Sequence, residues 1–197
     1  MKQLVMKLPT WGGRRKGAGR KPAGPKAGVA HTPRATLKKL AVHVNWRVRS
    51  HVWNLRAKRC FKRIEEAFWA ACDRFGMRIT HFSVQGNHIH LIVEADDEEC
   101  LSRGMQGLGV RIAKKLNQVM GRKGSVLADR YFAHVLRTPS EIRRAVDYVL
   151  RNYMSHFEKA DILLDPCASN SRPAGEAPVV PPMTFLMRRT LGLPPPS

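Results

Sequence analysis

Two alternating runs joined by Gly86-Asn87 constrain this chain most. From Arg78 to Gln85 the residues Ile79, His81 and Ser83 alternate with Thr80, Phe82 and Val84, and from His88 to Ala95 the alternation resumes. Two period-two runs around a Gly-Asn turn specify an antiparallel hairpin. On its second arm His88, His90, Ile92 and Glu94 share one face, and Ile89, Leu91 and Val93 form the other.

The flanking segments switch to a helical period. Phe61, Ile64, Phe68, Cys72 and Phe75 recur at three- and four-residue steps between Ala57 and Phe75, with Gly76 placed to end that helix. Leu101, Met105, Leu108, Ile112, Leu116 and Val119 form the stripe of a second helix, begun by the acidic residues 96–99 and ended by Gly121 and Gly124. Val42 to Arg49 alternates as a first strand and Val126 to Arg137 reads as a last one. The order strand, helix, strand, strand, helix, strand predicts an α+β, ferredoxin-like antiparallel sheet with both long helices on one face. Thr138-Pro139-Ser140-Glu141 is a capping box with Pro at the first helical position, so a third helix is expected to run to about Phe157 on the free face.

Three segments follow from composition: a basic arm over 1–40, a folded domain over 41–160 and a low-complexity, Pro-rich tail over 161–197, in which Phe185 to Arg189 is the one short helical pattern. The arm has 11 Lys and Arg and no Asp or Glu, and too little apolar surface to offset the entropy of ordering. Charges balance in 161–197, so the formal net charge of +20 leaves +9 on the domain. A polyanion is the expected partner. Gly19-Arg20-Lys21-Pro22, with Arg14 and Arg15 before it, resembles the short basic hooks that lie in narrow A·T-rich minor grooves.

No apolar run approaches the roughly 18 residues of a membrane span. Cys60, Cys72, Cys100 and Cys167 stand far apart with no C-x-x-C pair, which gives no disulfide framework or zinc ribbon. These features predict a cytoplasmic, nucleoid-associated protein.

Two imidazoles on one strand face make half of a divalent-metal site; the plainer alternative is a hydrogen-bonded pair beside a turn. On the third helix Ile142, Val146, Val149 and Tyr153 share the apolar stripe, which reads Tyr153 as core. Tyr148 falls on the flank, with Asn152 one turn later. A phenol, an amide and two imidazoles supply a nucleophile and three neutral ligands. A cation so held keeps its charge available to a phosphodiester, and a tyrosine can store the bond energy as a phosphotyrosine.

His88-Ile89-His90 and Tyr148-Val149-Leu150-Arg151-Asn152 resemble the His-hydrophobic-His and Tyr-x-x-x-Gln/Asn motifs of single-tyrosine HUH transposases, the IS200-like group and its REP-associated relatives. The resemblance spans about Val42 to Phe157. It implies an enzyme that cuts and rejoins single-stranded DNA near hairpins through a 5′-phosphotyrosine intermediate. Tyr148 would be the nucleophile, with Mg2+ or Mn2+ on His88, His90 and Asn152. His156 is an alternative third ligand, and Glu94 lies too far along the strand. Insertion-sequence members usually carry Gln where Asn152 stands and REP-associated members usually carry Pro where Tyr153 stands, so the subgroup stays open, as does monomer against homodimer.

Expected DNA contacts are Arg14, Arg15, Arg20 and Lys21 on the arm, Arg111, Lys114 and Lys115 on the second helix, and Arg130, Tyr131 and Arg137 on the last strand, with Trp46 or Tyr131 stacking an unpaired base. Two other readings compete. One is a noncatalytic protein for hairpin or A·T-rich DNA; the other is a basic RNA-binding sheet, although the aromatic pattern of RNA-recognition strands is missing.

Overall fold

The computed structural model describes residues 39–153, 164–173 and 175–195. The basic arm, and with it Arg14, Arg15, Arg20 and Lys21, lies outside the described residues, as does His156. The elements are β1 (Leu40–Arg47), α1 (Lys58–Trp69), β2 (Asp73–Arg74), β3 (Met77–Val84), β4 (His88–Ala95), α2 (Glu98–Val119), β5 (Phe132–Leu136), α3 (Pro139–Arg151) and α4 (Phe185–Thr190). The sheet is antiparallel throughout in the order β2-β3-β4-β1-β5. Set aside the two-residue β2, and this is the expected ferredoxin-like arrangement.

Strand parity divides the molecule into two cores. Val42, Val44 and Trp46 of β1 and Ile89, Leu91 and Val93 of β4 face α1 and α2, packing with Ile64, Phe68, Leu108 and Ile112. The opposite face carries Ala41, Ile92 and Leu136 under Ile142, Val146 and Val149 of α3 and Met187 of α4. The sheet therefore stands between two helical layers, with His88 and His90 on the α3 side.

α3 starts as the sequence requires. Glu141 N–H donates to Thr138 Oγ1 at 3.2 Å, and the Glu141 carboxylate accepts from Thr138 N–H at 3.2 Å and Arg137 N–H at 2.6 Å. In α2, Cys100 N–H donates to the Asp97 carboxylate at 2.7 Å, and Gly121 at φ 60° follows the helix end.

Four boundaries differ from expectation. Gly76 does not end α1, which closes at Ala70 in right-handed geometry. Phe75 (φ 58°) and Gly76 (φ 70°) instead form the left-handed pair that turns β2 into β3, so the helical spacing of Cys72 and Phe75 is accidental. The last strand is confined to Phe132–Leu136, because Asp129 and Arg130 bend the chain; only a Val48–Leu127 bridge precedes it. α3 ends at Arg151, and residues 154–163 lie outside the described residues.

The fourth difference is the tail, whose described residues pack onto the domain. Val84 N–H donates to Cys167 O at 2.9 Å, Phe82 N–H to Ser169 Oγ at 3.2 Å, and Val180 N–H to Ile79 O at 2.9 Å. This covers the outer edge of β3 where β2 no longer pairs with it, protecting an otherwise bare strand edge. Glu94, fully buried, accepts from Met183 N–H at 2.6 Å, Thr184 N–H at 2.9 Å and Thr184 O–H at 2.5 Å, fixing the start of α4. Backbone partners and a buried carboxylate, together with the apolar contacts of Cys167 and Met187, order this segment. Its composition gives no sign of them.

Candidate active site

β4 begins directly after the turn, so its first face-sharing pair, His88 and His90, stands at the open end of the sheet, with ring centroids 4.8 Å apart. The His88 Nδ1–H donates to the Asn87 side-chain oxygen at 2.7 Å, which leaves Nε2 as the basic nitrogen. His90 is 1 % exposed, and its Nδ1 lies 3.2 Å from Nε2 of His43 on β1. Its own Nε2 is buried without a hydrogen-bond partner. An orphaned buried nitrogen costs free energy unless something occupies its lone pair. With Nδ1–H donating to His43, Nε2 of His90 has the form a metal ligand needs.

Charge supports the same form. Burial first, then the neighbouring His88 and His43, pulls the His90 pKa down to about 3. His43 is also lowered, by burial and then by His134. Both rings are therefore neutral at physiological pH, so His43 can accept from His90 Nδ1–H while His90 Nε2 keeps its lone pair.

Tyr148 projects from α3 over this cluster. Its ring centroid lies 5.2 Å from that of His90 and 5.8 Å from that of His43, both edge to face, yet the residue is 50 % exposed. The phenol thus touches the imidazoles and remains open to solvent. Beside it lies an open cleft of ≈ 390 Å³ lined by His43, His134, Leu136, Glu141, Arg144 and Tyr148. Asn152, one turn beyond Tyr148, is buried at the C-terminal cap of α3. Among the described residues no three His, Cys, Asp or Glu side chains form a cation site, so a cation here would need the Asn152 amide or water beside the two imidazoles.

Tyr153 does not enter the core. It is half-buried, and the Arg56 guanidinium lies 3.6 Å above its ring. The same guanidinium donates to the Asp165 carboxylate at 2.7 and 3.0 Å and to Val84 O at 2.9 Å. Arg56 thereby ties the end of α3, the end of β3 and the C-terminal segment together, immediately behind the site. Glu94 is occupied by the α4 backbone.

The expected DNA contacts are scattered. Arg111, Lys114 and Lys115 lie on α2, across the sheet from Tyr148, and Lys115 pairs with Glu66 at 2.7 Å. Arg130 and Arg137 are exposed at the two ends of β5. Trp46 and Tyr131 are not stacking platforms. They are 6 % and 9 % exposed, pack edge to face at 5.6 Å, and the Trp46 indole N–H donates to Asp129 O at 3.1 Å. Alternation turns both inward.

Sequence reasoning missed Asn87, His43 and Arg56. Asn87 adjoins the motif and could have been found as its orienter. His43 is recognisable only once the strand pairing sets it opposite Ile92, next to the His90 position.

Among the described residues no helix is long and apolar enough to cross a membrane. The family profile described as "Transposase IS200 like" matches residues 36–152. No curated protein sequence matches the chain. A structure of a REP-associated tyrosine transposase bound to a REP hairpin superposes with TM-score 0.53 at 19% identity, covering 65% of this chain and 74% of that one. A protein from Deinococcus radiodurans R1 provisionally assigned as a transposase gives TM-score 0.43 at 12% identity, over 64% and 97% of the two chains. A bacterial tRNA(His) guanylyltransferase-like protein in complex with GTP gives 0.38 at 15% identity, over 60% and 66%. The last two superpose too loosely to bear on the site, and the first speaks for the fold. With the family profile covering more than half of its length, the chain belongs to the IS200-like transposase family.

Proposed function

We propose that this transposase cleaves and rejoins single-stranded DNA at or near hairpins, using Tyr148 as nucleophile and a divalent cation held by His88, His90 and Asn152. The observation that carries the reading is the buried, partnerless Nε2 of His90 beneath the half-exposed Tyr148 ring. A hairpin partner is supported by the +20 charge and by the REP hairpin in the similar structure.

In the reaction Tyr148 Oη attacks the phosphorus, the bond to the 3′ oxygen breaks, and a 5′-phosphotyrosine and a free 3′-hydroxyl result. The reverse attack by a 3′-hydroxyl rejoins the strand and restores the phenol. Mg2+ or Mn2+ would lend Lewis acidity, offsetting phosphate charge and polarising phosphorus. His43 keeps the His90 ring in one tautomer and orientation, and Asn87 does the same for His88. α3 presents Tyr148 from a capped, packed helix, and the adjoining cleft leaves room for the strand. The 5.2 Å between the Tyr148 and His90 ring centroids within one chain supports a nucleophile and ligands drawn from the same copy.

The test is incubation of the protein with an end-labelled hairpin oligonucleotide and Mn2+. A covalent protein–DNA band is expected that disappears with chelator and in Tyr148→Phe. Tight hairpin binding with no band from the wild-type protein would favour the noncatalytic alternative.

A further inference from the structure

Parity that buries Trp46 and Tyr131 exposes the residue after Tyr131. Phe132, the first residue of β5, is 59 % exposed. It is paired with Asn45 on β1, and Asn45 is paired with His90 on β4, so the three residues form one row across the sheet. Pairing also places their side chains on the same face, the one that carries Tyr148.

Two strand spacings separate Phe132 from His90, about 10 Å between Cα atoms, so a base on the one ring and a phosphate at the other belong to neighbouring parts of the same strand. α3 covers the neighbouring rows where its Ile142 and Val146 pack with Ile92 and Leu136, and it reaches this row at His90 through Tyr148, leaving the Phe132 end open. Arg47, exposed on the same face of β1 and paired with His88, brings a positive charge to the same open end. A bare aromatic face beside a cation, in line with a candidate phosphodiester site, matches how single strands are held: the cation follows the backbone and the ring takes a base.

We infer that Phe132 is a stacking platform for an unpaired nucleobase flanking the scissile phosphate, with Arg47 holding the adjoining backbone. The inference rests on the single-strand reading proposed above. Stacking uses the π-face common to all bases, so the platform fixes where the strand lies rather than which sequence it has.

The test uses the full-length protein with chelator, so that no cleavage occurs, and a fluorescent single-stranded oligonucleotide carrying 2-aminopurine. Phe132→Ala is expected to weaken binding about tenfold and to abolish quenching of 2-aminopurine at one position. Phe132→Trp should keep both affinity and quenching. Because the side chain is exposed, the variants should match wild type by circular dichroism. Phe132→Ala binding within about twofold of wild type, or Phe132→Leu performing as well as Phe132→Trp, overturns the inference. The covalent-band assay separates the two proposals. An alanine effect on binding without any wild-type band leaves the platform standing and removes the transesterase, and a wild-type band with no alanine effect does the reverse.

Discussion

Replacing Arg56 with methionine should be among the most damaging single changes to this fold, although the residue belongs to no helix or strand. Its guanidinium makes two bonds to Asp165, at 2.7 and 3.0 Å, one to Val84 O at 2.9 Å, and lies 3.6 Å over Tyr153. The Asp165 side chain is 0 % exposed and that of Arg56 only 15 %. Removing the cation strands a buried carboxylate, for which about 3–5 kcal/mol is the usual cost. Against a total stability of about 5–15 kcal/mol this is a large share. At about 2–4 °C per kcal/mol for a chain of this size, Tm should fall by about 6–20 °C.

Urea unfolding followed by tryptophan fluorescence measures the effect. Asp165 also accepts from Cys167 N–H at 2.9 Å, so Asp165→Asn removes the charge while preserving a hydrogen-bonding side chain. In the double variant Arg56→Met/Asp165→Asn the stranded charge is absent, and a coupling of about 2 kcal/mol or more is expected. A loss below about 1 kcal/mol for Arg56→Met, or simple addition of the two single effects, would refute the assignment of Arg56 as the tie between α3, β3 and the C-terminal segment.

Two further outcomes follow from the imidazoles. His43→Ala should weaken Mn2+ binding, read by loss of the free-ion electron paramagnetic resonance signal, about 10- to 100-fold; an unchanged affinity would mean that His90 needs no orienter. Burial pulls His81 down to about 4 from an ordinary value of 6.5. The unfolded chain therefore takes up a proton before the folded one does, and stability present above pH 6.5 is lost as pH falls toward 4. Metal-free protein should lose about 2 kcal/mol between pH 7 and pH 5 from this group. His81→Gln should flatten that part of the stability curve, and an identical slope in the variant would assign the effect elsewhere.

The parts of this molecule readable in the sequence are those specified by local periodicity. Alternation about Gly86-Asn87 gave the hairpin and put His88 and His90 on one face. The Thr138-Pro139 capping box gave the start of α3 and hence the phase that turns Tyr148 toward the imidazoles while Val149 packs beneath. What escaped depends on partners distant in the chain. Asp165 meets Arg56 across 109 residues, Glu94 receives the backbone of Thr184 across 90, and His43 meets His90 across 47. None of these pairs leaves a local pattern. Trp46 and Tyr131 mislead for a related reason: an aromatic in an alternating strand is equally consistent with either face until the neighbouring strands fix the register. Phe132 does not stand out in the sequence, because its place in the row containing His90 is set only by the strand pairing.

The Tyr148 phenol is the group proposed to become joined to DNA. Trypsin, cleaving after Arg144 and after Arg151, should release residues 145–151 as one peptide, in which Tyr148 is the only tyrosine. After reaction with a hairpin oligonucleotide and Mn2+, followed by nuclease trimming, mass spectrometry should find that peptide carrying a 5′-phosphonucleotide. The same mass on the peptide containing Tyr153, or no nucleotide on any tyrosine under conditions where the strand is cut, would contradict it.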